Sequence, residues 1–290
     1  MTPQRIGIAG VGLIGGSIGL RAAALGREVV GFDVDGTALA VALARGAVAR
    51  RASSAAALAA ECDVLVLALP VDATCAVLRE LTGLAKLPAL IVDVASVKAP
   101  VAAAAAGLAH FVGTHPMAGR ETGGIGAAMP DLFAGATWAH LPHPDRELVA
   151  HVRAFITDMD AVPLEVPADV HDAVVALTSH LPQALSVLLG SELAVADAAD
   201  GRVRELCGPG IISMLRLARS PESVWAPIAA ANAGALAERL RSFAGALNSV
   251  ADGLDKGDVS RLMSYFRDAR RIAGALEERT ASRRRSSAYR

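Results

Sequence analysis

The stretch GVGLIGG, Gly10 to Gly16, constrains this chain more than any other part of it. It holds G-x-G-x-x-G as Gly10, Gly12 and Gly15, directly after RIGIAG, a run that reads as a β-strand. Few folds place such a spacing between a strand and a helix. Gly10 permits a tight turn, Gly12 lets a pyrophosphate approach the backbone, and Gly15 lets the helix lie close to the strand. Leu13 and Ile14 open the helix, where free N–H groups and the positive end of the helix dipole favour phosphate. Asp33 ends the next strand-like run, EVVGFD, about where a dinucleotide site places a carboxylate for the ribose hydroxyls. A carboxylate there would repel a 2′-phosphate, so NAD is the expected cofactor rather than NADP. Asp35 is a weaker candidate for the same role.

Past the motif, helical and β-like stretches alternate. SIGLRAAALG (17–26) and TALAVALARG (37–46) read as helices. DVLVLALP (63–70) and ALIVDVAS (89–96) read as strands without polar alternation, which is how strands with both faces covered look. HFVGTH (110–115) and ATWAHLP (136–142) read as further strands. The pattern predicts an α/β fold, with an N-terminal doubly wound, Rossmann-type parallel sheet over residues 1–167. From Ala168 onward the chain reads as helices. The first is long, and Pro182 inside it should kink or break it. Ser220 is a plausible N-cap before Pro221, and the last helix spans about Val259 to Arg279. Residues 168–279 are therefore expected to be an all-helical domain, and 280–290 a basic, Ser-rich, disordered tail.

Composition narrows the function classes. The formal net charge of −1 over 290 residues argues against nucleic-acid binding, because the cations that would meet phosphates are missing. Cys62, Cys75 and Cys207 are few and widely spaced, so neither a disulfide framework nor a metal site is expected. The apolar runs are broken by Gly, Pro or charge before they could span a bilayer, and Met1 to Arg5 leads into no leader-like pattern. A cytoplasmic location with no membrane partner is expected. Aromatics are only 3%, so the helices must pack through Ala, Leu and Val.

Ligands of open α/β sheets sit beyond the carboxyl ends of the strands. Ser96 and Lys98 in VDVASVK fall there, as does His115 in VGTHPMAGRETGG. Pro116 holds His115 extended, which would fix an imidazole at the cleft mouth. TSHLPQ carries His180 in the helical half, and GPGIISMLRLARSPESVW carries Arg216.

Together, and in this order, the glycine motif, DVASVK, THPMAGRETGG, TSHLPQ and the Arg216 segment with Trp225 and Asn232 resemble the prephenate/arogenate dehydrogenase family of tyrosine biosynthesis. The resemblance covers nearly the whole chain. It implies NAD-dependent oxidative decarboxylation of prephenate to 4-hydroxyphenylpyruvate, or of arogenate or a C4-amino analogue. It also implies a homodimer. His115 would be the base at the C4 hydroxyl. Ser96 would bond the same hydroxyl or orient His115, lying also against the cofactor. His180 and Arg216 would hold the substrate, and Glu121 would gate or orient it at the entrance. Family members often carry an aspartate three residues before the matched arginine, where this chain has Ser213. A catalytically inactive NAD sensor is the rival from another class, and it would have no use for this set of side chains.

Overall fold

The computed structural model describes residues 5–120 and 122–288, with only the backbone for 280–288. The chain divides into two compact units, one up to Asn232 and one from Ala233.

The first unit opens with the predicted alternation. β1 (Arg5–Ala9) turns through the glycines into α1 (Leu13–Ala24), and β2 (Glu28–Phe32) leads to α2 (Gly36–Ala44). Then come the short β3 (Arg50–Arg51), α3 (Ala55–Glu61), β4 (Val64–Leu67), α4 (Val71–Leu81), β5 (Leu90–Asp93), α5 (Ala99–Ala104) and β6 (Phe111–Val112). These six strands form one sheet in the order β3-β2-β1-β4-β5-β6, and every neighbouring pair is parallel. β4 and β5 are buried along their whole length, as helices on both faces require. Along β4 the residues alternate between two cores, Val64 and Val66 facing one and Leu65 and Leu67 the other. The order reverses between β1 and β4, which opens a crevice beyond their carboxyl ends.

The run HFVGTH, read as one strand, is two. β6 pairs with β5, while β7 (Thr114–Pro116) leaves the sheet and pairs antiparallel with β8 (Thr137–His140). Gly113 makes the crossing possible, since a Cβ there would lie 2.9 Å from the Leu141 side chain. After α6 (Arg146–Asp158), β9 (Val162–Glu165) completes this second, three-stranded sheet. β9 escaped the sequence reading because its VPLE carries a proline and is mostly exposed.

Helices follow. α7 (Ala168–Val175) passes through a π-turn at Ala176–His180 into α8 (Leu181–Ala199). Pro182 neither breaks nor ends this run. It falls in the first turn of α8, and the widened turn before it absorbs the missing N–H and the ring. By length and composition alone Ala168–Ala199 could cross a bilayer, which corrects the reading that every apolar run is interrupted too early. It also carries buried His171, Asp172 and His180, each hydrogen-bonded within the first unit, as in the core helix of a folded domain.

Short helices α9 (Arg202–Glu205) and α10 (Pro209–Met214) precede α11 (Glu222–Ala231). Ile228 of α11 is buried in the core beneath the six-stranded sheet's helices, and Trp225 packs against it. Packing thus ties α11 to the first unit, although the strands have ended by Glu165. The second unit is the pair α12 (Ala233–Leu254) and α13 (Ser260–Ala288). α13 runs on where a disordered tail was expected, because residues 280–288 contain no glycine or proline to stop it. Residues 289 and 290 lie outside the described part.

Candidate active site

The nucleotide turn shows a division of labour among its glycines. Gly10 has φ +90°, and a Cβ there would stand 2.2 Å from the Ala68 carbonyl oxygen. On Gly15 it would stand 1.9 Å from the carbonyl oxygen of Gly10. These two glycines serve the fold itself. Around a Cβ on Gly12 there is nothing within 4 Å. Gly12 therefore leaves open space that the protein's own packing does not need. No side chain caps α1, and its first helical bond runs from Gly16 N–H to the Gly12 carbonyl. The N–H groups of Leu13, Ile14 and Gly15 are left for a ligand. Asp33 stands at the end of β2 and accepts from Val11 N–H at 2.8 Å and Asp35 N–H at 2.9 Å, one on each oxygen. Each oxygen keeps a second lone pair. Asp35 is engaged as the cap of α2, accepting from Thr37 N–H. Open space over Gly12, bare helix N–H groups and a carboxylate at the strand end fit a dinucleotide.

A polar cluster occupies the ends of β5 and β7. Asp93 closes β5, fully buried, and accepts from Thr114 N–H and Ala95 N–H, each at 2.9 Å. The Lys98 ammonium, 1% exposed, donates to the same carboxylate and, at 2.7 Å, to the Thr114 carbonyl. Burial pulls the Lys98 amine below the ordinary lysine value, against the pull of Asp93. Trp138 Nε1 donates to Thr114 Oγ1 at 2.9 Å, and that hydroxyl donates to the Asp93 carbonyl. This network fixes the backbone on either side of Thr114, and His115 is the next residue.

His115 stands half-buried on β7, its Nδ1 3.0 Å from Nε2 of His171 on α7. His171 Nδ1 lies 2.7 Å from Asp172 Oδ1. That same carboxylate accepts from the N–H groups of Lys98 at 2.7 Å and Ala99 at 2.8 Å. Burial raises the Asp172 carboxyl, but the His171 ring and the two N–H groups outweigh it and hold it below its usual value. Asp172 is therefore an anion that only accepts, so His171 Nδ1 carries a proton. When that is its one proton, His171 Nε2 accepts from His115 Nδ1–H. The lone pair of His115 is left on Nε2. Burial first, then the Lys98 ammonium, holds His115 well below the ordinary imidazole value, so it is neutral at physiological pH.

His180 on the π-turn is buried as well. Asn232 Nδ2 donates to the Asp172 carbonyl at 2.8 Å, which fixes which end of the amide is nitrogen. The same NH2 group lies 3.2 Å from His180 Nδ1, so that nitrogen accepts and neutral His180 carries its proton on Nε2. Burial lowers its pKa, opposed by Asp172. Trp225 meets its ring edge-on, centroids 6.0 Å apart.

Of the side chains singled out in the sequence, His115 and His180 are thus joined through one network. Ser96 lies half-exposed beyond the end of β5, and Nδ1 of His115 is held by His171. Arg216 is exposed between α10 and a 3-10 turn. Its neighbours are pinned to α8: Ser186 donates to the Met214 carbonyl at 2.8 Å, and Gln183 to the Leu217 carbonyl at 3.0 Å. Glu121 lies outside the described residues. Sequence reasoning missed His171, Asp172 and Asp93. The adjacent His-Asp pair in α7 was the available signal, unread because adjacent residues of a helix point apart.

Comparison with known proteins agrees with this layout. The model of the prephenate dehydrogenase nucleotide-binding domain matches residues 17–165, and that of the prephenate dehydrogenase dimerization domain matches 167–268. The chain is 28% identical over 273 residues to prephenate dehydrogenase of Bacillus subtilis, covering 91% of this chain and 73% of that one. It is 31% identical to a probable prephenate dehydrogenase of Streptomyces niveus, covering 85% and 69%. Among solved structures, prephenate dehydrogenase from A. aeolicus with hydroxyphenyl propionate and NAD+ shares the fold at TM-score 0.88 and 23% identity, over 95% of this chain and 99% of that one.

Proposed function

From the premise that the chain belongs to the prephenate dehydrogenase family, as both matched domains show, we propose that it is a cytoplasmic, homodimeric enzyme that oxidatively decarboxylates prephenate to 4-hydroxyphenylpyruvate with NAD. The observation that carries the reading is His115. It is neutral, its Nδ1–H is engaged, and its Nε2 is free to accept a proton.

The pyrophosphate would lie over Gly12 and the N–H groups of Leu13, Ile14 and Gly15, with Asp33 at the ribose. Bound NAD supplies the acceptor for the hydride that leaves C4. His115 Nε2 takes the C4 hydroxyl proton as that hydride departs, which pushes electrons from oxygen into the C4 carbon. The ring carboxylate then leaves as carbon dioxide, its bonding pair makes the ring aromatic, and the phenolate takes the proton back from His115. The proton is lent and returned, so none is released. Ser96, half-exposed beside this nitrogen's strand, would bond the same hydroxyl. His180 Nε2–H would donate to the substrate, and the Arg216 guanidinium would grip a carboxylate. Glu121 would act at the entrance. The Lys98–Asp93 network fixes the backbone at Thr114, next to His115.

The test is NADH formation by the purified chain with NAD and prephenate, and in parallel with arogenate. Turnover of prephenate above that of arogenate is expected. NAD binding without oxidation of either would refute the reading.

A further inference from the structure

Two buried groups stand in line behind the proposed base His115: His171 and then Asp172, with contacts of 3.0 and 2.7 Å. The hydrogen bonds around Asp172 make the line directional. Its carboxylate is fixed by two backbone N–H groups at the start of α5, and its own carbonyl is fixed by Asn232. A mere packing histidine would not need a buried anion behind it, since desolvating a carboxylate is costly unless its hydrogen bonds are filled.

We infer that His171, backed by Asp172, is the positioning residue for the base, holding His115 in its Nδ1–H tautomer and sharing its charge when it is protonated. The inference rests on the proposed role of His115. As the substrate O–H bond breaks and an Nε2–H bond forms on His115, the Nδ1 proton moves to Nε2 of His171. The positive charge then rests beside the Asp172 carboxylate rather than beside the Lys98 ammonium. Return of the proton to the phenolate reverses each transfer, so no proton is gained or lost. The charged or titratable groups around His115 are Lys98 on the β5–α5 connection, His171 on α7 and His180 on the π-turn, with Asp172 acting through His171. Of these only His171 touches the ring of His115 with an acceptor, so only it can relieve the charge.

Two measurements test this. The first needs no substrate: long-range 15N–1H NMR of the imidazoles in the full chain, with His115→Asn to assign the signals. His115 is expected as the Nδ1–H tautomer. An Nε2–H tautomer would overturn the inference, whatever the enzyme turns over. The second is the pH profile of NADH formation for His171→Gln, whose amide can occupy the position of Nε2 but takes no proton. A fall in kcat of about 10- to 100-fold is expected, with KM and NAD affinity changed by less than about threefold. The acid limb should move to lower pH, because His115 loses the partner that stabilises its charged form. A folded H171Q with the parent kcat and acid limb would overturn the inference, as would parallel losses in kcat and affinity with an unmoved limb. Should H171Q fail to fold, the tautomer measurement on the unaltered chain still decides. Should neither prephenate nor arogenate be oxidised, the proposed reaction falls while the tautomer result stands apart from it.

Discussion

At the scale of single residues, His115 carries the sharpest expectations. His115→Asn should lower kcat by about 10²- to 10⁴-fold, the span of a lost general base, with NAD affinity nearly unchanged by calorimetry. Surviving turnover would mean that another group takes the proton. The same ring ties pH to stability. The half-buried His115 and the buried His180 are held below the 6.5 of free imidazole. Below that value the unfolded chain binds more protons than the folded one, so stability is full above it and falls as pH drops toward the folded values. Urea midpoints should therefore decline between about pH 7 and pH 5, and less steeply for His115→Asn. Equal slopes would show that the ring is not buried neutral. Lys98 belongs to the same scale. In the sequence it read as a cleft residue beyond a strand end or as the start of a helix before Pro100, because nothing in VDVASVK tells that the ammonium is folded back onto Asp93. Lys98→Met leaves that carboxylate buried and short of a cation, and should cost about 3–5 kcal/mol in urea unfolding. A loss below about 1 kcal/mol would mean that the pair is dispensable.

At the scale of elements, β1, the glycine turn and α1 were legible because each glycine answers a local constraint that a spacing can encode. The constraints differ, and the difference is testable. Gly12 has φ −71° and open space at its Cβ, so Gly12→Ala should keep the Tm of the parent while NAD affinity falls at least tenfold. Gly15→Ala sets a methyl against the Gly10 carbonyl and should lose about 1–3 kcal/mol as well as the cofactor. Equal stability of the two variants would remove the distinction drawn between ligand space and packing space. The split of HFVGTH into β6 and β7 was not legible. The run reads on without a turn signal except Gly113, and the pairing of β7 with β8 is decided by residues more than twenty positions away. The π-turn was equally hidden. Pro182 announced an irregularity, but a proline does not say whether the chain breaks or widens, and here it widens before His180.

At the scale of the whole molecule, composition located the end of the strands near Pro167, and the two matched family domains meet between residues 165 and 167. Compactness divides the chain later, at Asn232. The two views differ because α7 to α11 are helical by sequence but seat residues such as Asp172 and Ile228 in the first unit's interior, a long-range fact that periodicity does not carry. The remaining pair, α12 and α13, has no buried residue among those described. Phe243, Leu247 and Leu254 on α12, and Met263, Phe266 and Ile272 on α13, are exposed. Two helices cannot bury enough apolar surface by themselves to offset their ordering. A second copy of the chain is the partner that a match to a dimerization domain calls for. Analytical ultracentrifugation should give twice the mass of the 29.6 kDa chain. The double variant Leu247→Asp, Phe266→Asp should shift the chain toward monomer, and its Tm should no longer depend on protein concentration. A parent chain that sediments as a monomer would leave these faces without a function and would sink the proposal of a homodimer.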